Sequence, residues 1–177
     1  MDFRSRQNLV AYVHSNTAHE CGHITVLFKA GRLAGLNFLP HQTAANGVKG
    51  VFETNAGTEL GKEDCVAFAA GMVAELICVG HSQHELDDRQ HVLRIVGQPL
   101  ENFALEAYEI IKQNLLFFAL LNIDVRKKMF AVLKRVSEEG CSGLDEEISI
   151  ITLAEVEQVY KHAVSTLAGF PDKAGTP

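Results

Sequence analysis

The residues best suited to chemistry sit together in His19-Glu20-Cys21-Gly22-His23. On a helix, histidines at i and i+4 project from one face, so both imidazoles can reach a single zinc ion. Zinc lowers the pKa of bound water from about 16 towards roughly 7, and a glutamate beside it can take the water's proton as it attacks a polarised carbonyl. His19 and His23 are therefore candidate ligands, and Glu20 a candidate general base. The pattern has only three set positions and also arises by chance, which would make both histidines ordinary helix residues. Ala18 and Gly22, small neighbours that let other elements approach closely, add weight to the metal reading.

Catalytic zinc usually takes three protein ligands and keeps one position open for water. The extended motif with a third histidine fails here, because Val26 and Lys29 occupy its glycine and histidine positions. The third ligand must lie further along the chain. Glu75 is one competitor, a lone carboxylate in an apolar stretch where an unpaired buried charge would be costly. The Asp87-Asp88 pair is the other. Helical spacing puts Asp88 on a face with Val92, Ile95 and Val96, and Asp87 with His91 and Arg94, so Asp88 points inward and is preferred. Glu75, His84 and Asp87 are kept as alternative ligands or as residues that orient a ligand from behind.

The elements that must position these residues follow from pattern and caps. A helix is expected over 16–30, ending at Gly31, and two short strands over 33–39 and 48–53 around Pro40 and the turn pair Asn46-Gly47. A nearly all-apolar helix is expected over 62–79. Ser82 and Glu85 have capping-box spacing, which predicts a further helix from about 83 to 96. Three more helices are predicted, over 100–121, 125–138 and 153–168, the last with Thr152 and Glu155 as its capping box. The expected fold class is mainly α (α+β), a helical domain with a small flanking β-sheet or hairpin. Residues 1–170 read as one domain, with a zinc-site half over about 8–97, a helical half over about 100–168, and a disordered tail over 171–177.

Composition excludes several function classes. A net charge of −6 supplies no basic field for phosphate backbones, so nucleic acid is not an expected partner. The longest apolar runs, 66–80 and 115–121, fall short of the roughly 20 residues a membrane span needs. Cysteines 21, 65, 78 and 141 form no C-x-x-C pair and no signal peptide is read at the start, so reduced thiols and a cytoplasmic location are expected. Gly61-Lys62 does not complete a P-loop, since Ala56 and Glu63 stand where Gly and Ser or Thr are required.

With these residues in view, the sequence resembles the peptidase domain of the FtsH-type, ATP-dependent zinc metalloproteases. Ala18-His19-Glu20-Cys21-Gly22-His23 is similar to that family's A/Y-H-E-x-G-H segment, and Ala70-Gly71-Met72-Val73-Ala74-Glu75 to its G-x-x-A-E-E stretch. Asp88 opens an apolar-patterned helix where the family supplies an aspartate ligand. The resemblance covers about residues 8–97. It implies a zincin-like fold, a bound Zn2+ held by His19, His23 and Asp88, Glu20 as base, and a ring-forming homo-oligomer. The chain departs from the pattern at Leu76, in the segment 84–88, and in lacking the ATPase module. The expected activity is hydrolysis of flexible or unfolded peptides, with or without a separate ATPase. An extended peptide would align on an exposed strand edge within 33–53. The alternative is a non-catalytic zinc- or peptide-binding module that assembles with a partner ATPase.

Overall fold

The computed structural model describes residues 6–40, 48–54, 61–139 and 148–169. The turn at 46–47 and the tail at 171–177 lie outside them. The chain is mainly helical with a small antiparallel sheet. In order it runs α1 (Arg6–Lys29), β1 (Leu33–Pro40), β2 (Val48–Thr54), α2 (Lys62–Val79), α3 (Leu86–Val96), a 3-10 turn (Leu100–Phe103), α4 (Ala104–Gln113), α5 (Leu115–Glu139), β3 (Ile148–Thr152) and α6 (Leu153–Ala168).

α1 is the central element, packed along α2 on one side and α5 on another. Burial is nearly continuous from Tyr12 to Leu27. Each side of the helix has its own partner. A Cβ on Gly22 would overlap the Ala70 carbonyl oxygen and stand 2.8 Å from Ala74 Cβ, so this glycine permits the close crossing with α2. Towards α5, Thr17 Oγ1 lies 3.2 Å from Met129 Sδ. Gly31, at φ +68°, ends α1 in the left-handed region. There Arg32 N–H donates to Leu27 O (2.9 Å) and Gly31 N–H to Phe28 O (3.0 Å), which satisfies the last carbonyls. Arg32 then pairs with buried Asp64 at 2.9 Å, and Asp64 accepts from Gly61 N–H at 2.6 Å. The exit of α1 is thus tied to the entry of α2.

The sheet order is β2-β1-β3, all neighbours antiparallel. Leu36, fully buried, pairs with Phe52 on one side and with Ile151 on the other. β3 was not read from the sequence: five residues beside a helix cap carry too little alternation to register as a strand. β1 has both edges occupied, so of the two expected strands it is β2 that lies at an edge of the sheet among the described residues.

Helix boundaries also differ. α1 begins at Arg6, ten residues before the expected start, because tertiary packing of Tyr12 and Val13 extends it without any acidic first-turn signal. The Ser82–Glu85 capping box does not form. α3 starts at Leu86, Ser82 Oγ donates to Glu75 instead, and Glu85 pairs with Arg89. The expected helix over 100–121 breaks at Asn114, whose side chain donates to Ile110 O at 2.8 Å and competes with the helical ladder, and α5 then runs unbroken from Leu115 to Glu139 through the boundary expected between 121 and 125. By contrast α2 and α6 fall where expected, α6 with its Thr152–Glu155 box intact. No described helix is long and apolar enough to cross a membrane.

Candidate metal centre

α1 and α2 run past each other so that Ser15 and His19 meet Glu75 while His23 meets Ala67. α3 then brings Asp88 over the two histidines. Asp88 Oδ2 lies 3.1 Å from His19 Nε2 and 3.5 Å from His23 Nε2, and the two Nε2 atoms are 3.0 Å apart. His19, His23 and Asp88, all buried, form a group that can hold a metal ion. The triangle has the right size. Zinc bonds of 2.0–2.1 Å in a tetrahedron separate neighbouring ligand atoms by roughly 3.3 Å.

Tautomers strengthen the fit. His23 Nδ1–H donates to Ala67 O at 2.7 Å, and His19 Nδ1 faces Glu75 Oε2 at 3.3 Å, so in its neutral form each ring presents its Nε2 lone pair inward. Asp88 Oδ2 is buried and has no aligned hydrogen-bond donor despite its closeness to both rings. Two lone pairs and a carboxylate oxygen converging at this distance repel one another unless a cation lies between them. Without a metal, the closeness of His19 to Asp88 favours a proton in that place. Burial works to lower the His19 pKa, but pairing with Asp88 and Glu75 outweighs it and raises the pKa to about 10. For Asp88, burial pushes upward and is overcome by His23 and His19, which hold its carboxyl well below the usual range.

Glu20 lies on the same helix, buried, within electrostatic reach of His19, His23, Asp88 and His84. Burial raises its pKa, which favours taking up a proton at neutral pH. Tyr12, two turns earlier, is pushed up to about 12 by burial and by Glu20.

Glu75 is fully buried and is not in the metal-capable group. It accepts from Ser15 Oγ, from Ser82 Oγ (2.7 Å), from the backbone N–H of Gln83 (3.1 Å) and from His84 Nδ1 (2.6 Å). Burial opposes its ionisation, yet these bonds, with that of His19, keep its carboxyl well below the usual range. Its position is therefore behind His19, orienting the ring. Asp87 is exposed, its backbone oxygen accepting from His91 Nδ1 at 2.7 Å, so of the pair it is Asp88 that meets the histidines.

Sequence reasoning missed Gly71. A Cβ there would stand 2.6 Å from His19 Cε1 and 2.7 Å from His23 Cε1 and Nε2, so the imidazoles lie directly on the α2 backbone. Its signals in the sequence were its place in the Ala70–Glu75 stretch and an isolated glycine in a helical pattern, neither of which shows that it faces the histidines. Ser15 and Ser82 were missed as well, since their role depends on where Glu75 lies. Comparison of the chain with protein-family models, with curated proteins and with solved structures finds no match.

Proposed function

We propose that the protein is a zinc-dependent metalloendopeptidase acting on flexible or unfolded peptide segments. One observation carries the reading: the buried Asp88 Oδ2 converges with the Nε2 atoms of His19 and His23 on a zinc-sized centre, with Glu20 on the same helix within electrostatic reach. Two imidazoles and one carboxylate suit zinc and leave room for water, whereas structural zinc sites fill all four positions with Cys and His. When bound, the metal would polarise the substrate carbonyl and acidify a water molecule. Glu20 would accept a proton from the attacking water as the water oxygen bonds to the carbonyl carbon. The same carboxyl then returns the proton to the amine nitrogen as the C–N bond breaks. An extended peptide would be held by backbone hydrogen bonds along the outer edge of β2, which favours chain segments already unfolded or delivered by a separate ATPase.

The test is metal content per chain, followed by cleavage of unfolded casein by the wild type and Glu20→Gln. The expected result is zinc in both proteins and cleavage by the wild type alone. Zinc in both with no cleavage by either would instead make the protein a binding module, and absence of metal would remove the site.

A further inference from the structure

His84 lies in the segment between α2 and α3 and is partly buried, its ring edge-on to Tyr12 at 5.4 Å and to His19 at 5.7 Å between centroids. It engages Glu75 twice, through ring Nδ1 to Oε1 at 2.6 Å and through its backbone N–H to Oε2 at 3.3 Å. Oε1 has one further donor, Ser15 Oγ, whereas Oε2 also receives Ser82 Oγ, Gln83 N–H and His19 Nδ1. Of the side-chain bonds on this carboxylate, that of His19 is the longest, at 3.3 Å. It therefore depends most on the others holding the carboxylate plane in place. The segment Ser82–His84 closes around Glu75, and one turn further along α3 supplies Asp88. A single buried carboxylate thus lies between the element that carries two ligands and the segment that delivers the third.

We propose that His84 is a positioning residue of the metal centre: by fixing the Glu75 carboxylate it sets the orientation of His19 and the placement of Asp88. The proposal rests on the metal-binding reading of the site, but not on catalysis. It requires only the N–H that His84 presents to Glu75, not a charge on the ring. An asparagine at position 84 can place its carboxamide N–H near the position of Nδ1, whereas leucine fills similar space with no donor.

The probe is Co2+ alone, titrated into the wild type, His84→Asn and His84→Leu, reading affinity by competition with a chelator and geometry by the visible absorption bands. Groups that bond a metal-binding histidine directly affect affinity about 10- to 100-fold; His84 acts one partner further out, through Glu75, so His84→Leu should weaken Co2+ binding by about 10-fold and shift the bands, while His84→Asn stays within about threefold of wild type. Wild-type affinity and bands in His84→Leu would overturn the proposal. So would an equal loss in both variants, because the donor would then not be what matters. If the wild type itself takes up no Co2+, the metal-site reading fails and this inference with it, an outcome distinct from either of the others.

Discussion

Gly71→Ala adds one carbon where α2 lies directly against the two imidazoles. The new methyl would stand 2.6–2.7 Å from carbon and nitrogen atoms of His19 and His23. Ordinary carbon contacts lie near 3.5–4.0 Å, so the rings must retreat by about 0.8 Å or more. A metal site tolerates bond-length departures of only about 0.2 Å, so at least one imidazole leaves the centre. Losing a ligand should cost more than losing an outer partner, giving an affinity loss above about 100-fold, or about 2.8 kcal/mol. The metal-free protein behaves differently. Alanine improves helix propensity in α2 by about 1 kcal/mol, while overpacking costs about 1–3 kcal/mol, so the net loss stays below about 2 kcal/mol. Calorimetric zinc titration paired with denaturant unfolding in chelator separates the two effects. Gly22→Ala is the comparator: its Cβ strikes the α2 backbone rather than the histidines, so it should destabilise the protein with or without metal. Wild-type zinc affinity in Gly71→Ala would refute the close packing of the rings on α2.

Further outcomes follow from the same geometry. Asp88→Asn should weaken zinc binding strongly and Asp87→Asn hardly at all, measured by chelator competition, because only Asp88 meets the two histidines. Zinc binding at pH 8 should release close to one proton, read from titration heats in buffers of different ionisation enthalpy, since His19 must give up a proton held with a pKa of about 10. In the metal-free protein the raised His19 pKa adds stability that is fully present below about pH 6.5 and is lost as pH rises towards 10. The lowered Asp88 and Glu75 pKa values add stability that is lost as pH falls below about 4, so unfolding midpoints in chelator should peak in mildly acidic buffer. Thr152→Ala should cost about 1 kcal/mol, read as a lower unfolding midpoint, through loss of the α6 cap.

What could be read along the chain was whatever depends on short-range spacing. His19 and His23 lie one turn apart on any α-helix, and the face of α3 that carries Asp88 is defined by its apolar neighbours, so all three ligand candidates were legible before any fold was known. α2 and α6 announced themselves through composition and caps. The boundaries that moved did so where a long-range partner outbid a local one. Ser82 caps nothing, because Glu75 offers its hydroxyl a buried ionised acceptor, and a charge-assisted bond is stronger than a cap. β3 is a strand because Leu36 needs a neighbour on its second side, which no pattern within five residues can convey.

Glu75 shows the division most clearly. Its sequence marks it only as a carboxylate in need of partners, a less favoured ligand than Asp88 or a structural acceptor. The crossing of α1 and α2 decided between them, turning Glu75 towards Nδ1 of His19 and leaving the Nε2 side to Asp88. Residue type and helical period determined which groups could bind a metal. Only the packing of three helices, made close by Gly22 and Gly71, decided which of them do meet, because that meeting depends on distances between segments far apart in the chain.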